Sequence, residues 1–479
     1  MLLSEIIKNL SIKEIIGDIN PDINNVSYDT RTVNENSVFV CIKGINTDRH
    51  DFVSQALEKG CKAVVSEYPV EAEGAVNVVV ENTNKALAVI SSNFYGNPDK
   101  KLKVIGVTGT NGKTTTTTLL KKVLEGCGYK VGLIGTNDII IGDSAVPSPN
   151  TTPEAPDLFR YFYEMAAAKC DFAVMEVSSH SISLDRIYGI EFTAGSFTNL
   201  TQDHLDYHKT MENYAESKSL FFSYCDSAVI NNDDEYADVM KKNIKNKLVT
   251  YSVKNPSDFK AVNVIHEDSG VKYEVETENG KIHIDFPIPG SFSVYNSLGV
   301  CAICAVLGIP FDKIAEGLKN AETVKGRCEL VAIDKPYKVI IDYAHTPDGM
   351  ENILTTVNEF KKGKVICVFG CGGDRDKGKR PKMGAMGKKY SDIVVVTSDN
   401  PRSEKPESII EDIMVGISDR TDVYTEPDRK KAIQLAMSIA KKDDIVLLLG
   451  KGHETVQKFK DYNIEFDERK IVRELCGLV

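Results

Sequence analysis

The feature that most narrows what this chain can fold into is an apolar run at 104–107. It stops in Gly109-Thr110-Asn111-Gly112-Lys113-Thr114-Thr115 and continues as a helix-like stretch. A strand that ends in a glycine-containing loop and opens a helix brings several backbone N–H groups to one point, and the helix N-terminus adds partial positive charge there. A lysine after the second glycine reaches β- and γ-phosphates, and the next hydroxyl can ligate Mg²⁺. Lys113 and Thr114 take those places. The spacing departs from the general phosphate-loop pattern, which has glycine where this chain has Val107. A bare glycine turn would account for the glycines alone; the flanking strand and helix favour the phosphate reading.

The rest of the chain alternates short apolar runs with helical patterns, which implies α/β architecture with mainly parallel sheets. Three units are expected: a small N-terminal α/β domain at 1–98, a central domain at 99–325 that carries the loop, and a Rossmann-like C-terminal domain at 326–479. In the last, four apolar runs each end in a polar, Gly- or Pro-containing loop: DYAH, GCGGDRD, SDNPR and GKGHE. Ligands of open parallel sheets bind at the carboxyl ends of strands, so these loops should converge on one crevice.

A net charge of -11 argues against nucleic acid and anionic membranes as partners. Glu5 and Lys8 interrupt the first apolar segment, so a signal peptide is not expected, and no run of about 18 apolar residues suggests a membrane span. Eleven scattered cysteines suggest reduced thiols in a cytoplasm. Cys301 and Cys304 lack a second pair nearby and read as helix packing rather than a metal site.

Beyond the loop, MEVSSHSISLDR (175–186), FTNLTQDHLDYH (197–208), YAESKSLFF, NNDD (231–234), FPIPGSFSVYNSLG, VKGRCEL, DYAHTPDGM, GCGGDRDKGKRP, SDNPRSEKP and GKGHE follow in order. Together they resemble the Mur ligase and folylpolyglutamate synthase superfamily, over nearly the whole chain. The resemblance implies an ATP-dependent amide ligase. Gly109, Thr110, Asn111, Gly112, Lys113, Thr114, Thr115, Asn296 and Arg327 would then bind ATP. Thr114 and Glu176 would hold one Mg²⁺, and His204 would help hold a second. Lys113, Glu176, His204 and Lys218 form the expected catalytic group. Lys218 by itself reads as a solvated helix lysine; the family reading makes it a carbamate formed with CO₂, an anion able to approach Mg²⁺. That reaction needs a neutral amine, which burial and nearby cations permit.

The same resemblance assigns Thr30, Thr151, Thr152, Ser178 and Arg186 to a UDP-sugar peptide. Thr30 stands in Asp29-Thr30-Arg31 where these ligases often show Asp-Ser-Arg, and Leu184 replaces a Gln found in some members. DNPR resembles the signature of members that add meso-diaminopimelate. That compound is lysine with a second amino-acid head, and a planar guanidinium suits the extra carboxylate. Arg375, Asp399, Asn400, Pro401, Arg402, Gly450 and Glu454 would form its pocket, with Glu454 facing the distal ammonium. The implied reaction joins diaminopimelate to the D-Glu γ-carboxylate of UDP-MurNAc-L-Ala-D-Glu through an acyl phosphate. Small molecules are the only partners expected, and the protein should be a monomer. Rival readings are a lysine-adding ligase, a folylpolyglutamate synthase, an ATP-sensing switch, and a dinucleotide site at GCGGD. The last lacks a clear GxGxxG.

Overall fold

The computed structural model describes every residue except 18, 19, 45, 46, 149, 268 and 479. The N-terminal sheet has five strands in the order Ile12–Ile16, Val76–Val80, Ala63–Ser66, Ser37–Val40, Asn25–Ser27. Only the first pairing is antiparallel. The three inner strands are buried at every position, which explains why they read as unbroken apolar runs rather than alternating ones. The helix Thr83–Phe94 starts where the Asn82 side chain accepts from Lys85 N, 2.9 Å. It packs against the helix Ala155–Ala167 of the next domain, and Leu87, Ile90, Leu158 and Phe162 share one apolar cluster. The first two domains are thus joined by a common core.

The central sheet has eleven strands. Lys103–Thr108 lies at its middle, parallel to Phe172–Glu176 on one side and Ala194–Phe197 on the other. Three strand ends therefore open side by side: the phosphate loop, Glu176, and Thr198. The sheet is extended by an antiparallel meander, Phe259–Glu267, Gly270–Thr277 and Gly280–Phe286, which the sequence pattern did not separate from the parallel part. Cys301 and Cys304 are both fully buried in the helix Ser291–Val306, as packing residues.

The C-terminal sheet runs Glu329–Val331, Lys338–Asp342, Ile445–Leu449, Val365–Phe369, Ile393–Thr397, Val423–Glu426; all but the first pair are parallel. Its four longest strands end at the four loops singled out above. Among the described residues, no helix is long and apolar enough to cross a membrane.

Candidate active site

The phosphate loop is shaped by its neighbours. Gly112 has φ +85°, and a Cβ there would stand 2.6 Å from Asn296 Oδ1, so only glycine fits. Thr110 N donates to Asn199 O (2.8 Å) and Asn111 N to Asn199 Oδ1 (2.9 Å), so the strand end at 198–199 braces the loop. Lys113 Nζ donates to the carbonyls of Gly109 (2.9 Å) and Thr110 (2.8 Å). Burial lowers its pKa; Glu176 opposes that shift and Arg327 adds to it. Arg327 Nη2, from the start of the C-terminal domain, donates to Thr114 Oγ1 at 3.1 Å. Thr115 and Asn296 line the same cleft.

Lys218 is 1% exposed, which removes the solvated-lysine reading. Its Nζ donates to Gly109 O (3.0 Å) and Thr108 Oγ1 (3.3 Å), and lies 4.9 Å from the Tyr214 ring centre. Burial first, and Lys113 second, push its pKa well below the ordinary lysine value. Burial and the Lys113 charge thus favour the neutral amine at this position, directly beneath the loop.

Glu176 is fully buried at the end of its strand. Its oxygens accept from Thr136 N (2.7 Å) and Thr136 Oγ1 (3.0 Å), and Thr136 Oγ1 is 3.1 Å from Thr151 Oγ1. His204 has φ +53°, and its Nε2 is 3.5 Å from Asp203 Oδ2. Burial raises the Asp203 pKa, but His204, His345 and Lys379 outweigh it and hold it at about 2. Burial also lowers His204, against the pull of Asp203. A hydroxyl and a carboxylate suit a hard cation that keeps several waters and rests partly on phosphate, whereas the His204 imidazole is an unusual partner for such an ion on its own chemistry. Among the described residues, no cluster of three or more His, Cys, Asp or Glu forms a self-sufficient cage. The Thr114 hydroxyl and the Glu176 carboxylate are the donors here that fit Mg²⁺.

Around this cleft, Thr152 Oγ1 donates to Glu176 O (2.9 Å) and accepts from Ser178 N (3.0 Å). Arg186 donates to Thr152 O (3.0 Å) and pairs with Glu154 at 2.5 Å. Arg186, Glu154, Leu184 and Tyr28 line a second cavity of about 300 Å³ between the N-terminal and central domains. Thr30 is buried elsewhere, donating to Gln55 Oε1 at 2.7 Å, and is not among the residues that line this cavity.

The C-terminal loops converge. Asn400 Nδ2 donates to Glu454 Oε2 (2.8 Å), and Arg402 Nη1 to Gly373 O (2.7 Å). Gly450 has φ +108°, and a Cβ there would come within 2.7 Å of Asp399 Oδ2. Pro401 packs its carbonyl against Gly373. Burial lowers the Arg402 pKa and nearby Arg375 lowers it further, so two guanidinium groups lie close together where these loops meet.

Several contributors escaped the sequence reading. Asp348, at the start of the helix Pro347–Phe360, accepts from Asn111 Nδ2 (2.7 Å) and Thr201 Oγ1 (3.2 Å) across the domain boundary. Asp342 accepts from Cys328 N (2.7 Å) and Ala344 N (2.8 Å). Tyr343 stacks under Arg327 (4.7 Å) and beside His453 (4.9 Å), linking the nucleotide cleft to the GKGHE loop. Asp342 and Asp348 lay inside a quoted motif, yet nothing in spacing alone separates such residues from their neighbours. The cleft between the central and C-terminal domains holds about 470 Å³ and is lined by Lys113, Glu176, His204, Asn296, Arg327 and His345 among others.

Comparison with known proteins agrees with this geometry. Three family descriptions match in order: "Mur ligase family, catalytic domain" at residues 22–95, "Mur ligase middle domain" at 107–304, and "Mur ligase, glutamate ligase domain" at 326–452. A curated relative from Clostridium acetobutylicum, named UDP-N-acetylmuramoyl-L-alanyl-D-glutamate–2,6-diaminopimelate ligase 1, is 49% identical over 477 residues and 99% of each chain. A relative from Clostridioides difficile, named as a ligase of the same kind, is 47% identical over 479 residues, again 99% of each. A solved structure of such a ligase superposes with a TM-score of 0.70 at 29% identity, covering 100% of this chain and 99% of the other. A Mycobacterium tuberculosis folylpolyglutamate synthase complexed with ADP and AMPPCP shares the fold, with a TM-score of 0.65 at 19% identity over 81% of this chain and 94% of the other.

Proposed function

This chain belongs to the Mur ligase family, and we propose that it uses ATP to join meso-2,6-diaminopimelate to the D-Glu γ-carboxylate of UDP-MurNAc-L-Ala-D-Glu, a step of peptidoglycan synthesis. The observation that carries the proposal is the grouping of Arg375, Arg402 and Glu454 where the C-terminal loops meet, in a chain nearly half identical to ligases of that name. Two guanidiniums and a carboxylate match a distal head that bears both a carboxylate and an ammonium.

The attacking γ-carboxylate and the γ-phosphate are both anionic, so charge must be neutralised and atoms aligned. Lys113 and the loop N–H groups would grip the phosphates. Thr114 and Glu176 would hold Mg²⁺, with His204 near a second ion; bound there, the metal supplies electrostatic stabilisation of the transferring phosphoryl group. Lys218, as its CO₂ carbamate, would place an anion beneath the loop. Thr151, Thr152, Ser178 and Arg186 would orient the UDP-sugar peptide along the edge shared with the N-terminal domain, with Thr30 supporting that domain's wall through Gln55. Attack of the γ-carboxylate on the γ-phosphorus breaks its bond to ADP, which leaves, and forms the acyl phosphate; the diaminopimelate amine then attacks the acyl carbon and phosphate leaves. The amine must shed a proton first, and His204 and Asp203 are the candidates placed to receive it.

Contacts from Arg327 to Thr114 and from Asp348 to Asn111 would close the C-terminal domain over the reacting groups and exclude water. Domain boundaries near residues 98 and 325, a monomeric state and a cytoplasmic location complete the proposal. The test is phosphate release with ATP, Mg²⁺ and UDP-MurNAc-L-Ala-D-Glu, comparing meso-diaminopimelate with L-lysine. Release that depends on diaminopimelate is expected; release indifferent to any amine would sink the ligase reading.

A further inference from the structure

Lys451 lies one residue beyond Gly450 and is 0% exposed. Its Nζ donates to Glu454 Oε2 (2.9 Å), Asn400 Oδ1 (3.1 Å) and Val456 O (2.8 Å). Three acceptors, one of them a carboxylate, match the three N–H bonds of an ammonium. The same contacts orient Asn400: its Oδ1 also accepts from Lys458 N (3.0 Å), which leaves Nδ2 to donate to Glu454 Oε2 (2.8 Å). Both bonds to Glu454 land on Oε2. Among the described residues, Oε1 takes none.

We propose that Lys451 is a specificity-determining residue that disfavours lysine relative to diaminopimelate by holding half of the Glu454 carboxylate; this rests on the function proposed above. An amine substrate that brings only a distal ammonium meets a carboxylate already shared with a buried cation 2.9 Å away. The incoming cation gains one free oxygen and is repelled by Lys451. Diaminopimelate brings a carboxylate with its ammonium. That carboxylate is drawn by Arg402 and by the same Lys451 charge, so the repulsion is offset. The buried lysine therefore imposes its cost on one substrate and not the other. It also ties the SDNPR loop to the GKGHE loop, so it sets the distance between the two walls of the pocket.

The experiment measures kcat/KM for meso-diaminopimelate and for L-lysine, with KM for ATP as a control on the nucleotide cleft. The variants are Lys451→Met and Glu454→Gln, alone and combined. Lys451→Met should raise the lysine-to-diaminopimelate ratio by about tenfold or more, the scale of one charge-assisted hydrogen bond, with KM for ATP unchanged. Glu454→Gln should move the ratio the opposite way, because the lysine charge is then uncompensated, and the double variant should return it toward wild type. Equal loss with both amines in Lys451→Met would make the residue merely structural and overturn the inference. If Lys451→Met does not fold, an unaltered ratio in Glu454→Gln overturns it by itself. Wild-type protein that does not discriminate between the amines would instead refute the proposed function.

Discussion

Replacing Arg429 with leucine should cripple the C-terminal domain, for a reason that can be worked out from its contacts. Arg429 and Glu468 are both 0% exposed, with Nε to Oε1 at 2.8 Å. Nη1 donates to Ser398 O (3.1 Å) and Nη2 to Leu449 O (2.7 Å), the last residues before Asp399 and Gly450. The other Glu468 oxygen, Oε2, has no hydrogen-bond partner, so the arginine is the carboxylate's main support. Arg429→Leu leaves a buried carboxylate without its cation, which costs about 3–5 kcal/mol. Two carbonyls lose donors at about 1 kcal/mol each. A total of about 5–7 kcal/mol corresponds to a fall of roughly 10–30 °C in the melting temperature of a domain this size. Arg429→Leu with Glu468→Leu removes both charges and should recover the ion-pair part, leaving a loss of about 2 kcal/mol. Differential scanning calorimetry of the wild type, both single variants and the double variant reads this directly. At permissive temperature, the single variant should also raise KM for diaminopimelate more than KM for ATP, because the two loosened strand ends lead into the loops proposed to hold the amino acid. A double variant no more stable than Arg429→Leu, or a single loss under about 1 kcal/mol, would refute the reasoning.

Four further outcomes are expected. Arg402→Ala should lower kcat/KM for diaminopimelate by about 10²–10³, the loss of a two-point charged contact, while leaving any residual lysine activity unchanged. Lys113→Ala should abolish phosphate release with wild-type thermal stability, checked by a coupled phosphate assay and calorimetry. ¹³C-bicarbonate should give a carbamate resonance in the wild-type protein that Lys218→Met lacks; an identical signal in the variant would remove the modification from Lys218. Acid should destabilise the protein through His453, whose pKa burial, aided by Arg327 and Arg469, lowers from 6.5 to about 3. Between those values the unfolded chain binds a proton that the folded one refuses, so stability falls as pH drops below 6.5, by at most about 1.4 kcal/mol per pH unit. His453→Gln should flatten the slope in urea titrations at pH 5.0 and 7.5.

The phosphate loop was legible because its chemistry is local: two glycines, a lysine and a threonine between a strand and a helix carry the signal within about ten residues. The same holds for the strand ends of the C-terminal sheet, where β-rich apolar runs stop abruptly at polar loops. The antiparallel meander at 259–286 was not legible, since alternation shows a half-buried strand but not the direction of its partner. Lys218 and Lys451 mark the limit most clearly. Each is a lysine whose local sequence does not mark it as buried, and each is buried where a distant segment meets it: Thr108 and Gly109 in one case, Asn400 in the other. Glu454 read as a free counterion for the substrate, yet half of it is already engaged. Sequence by itself determined the fold class, the nucleotide loop and the order of the motifs, all of which depend on residues adjacent in the chain. Desolvation, and the sharing of one carboxylate among several donors, depend on which surfaces meet, so only the tertiary structure decided which lysines are buried and which charges remain free for a substrate.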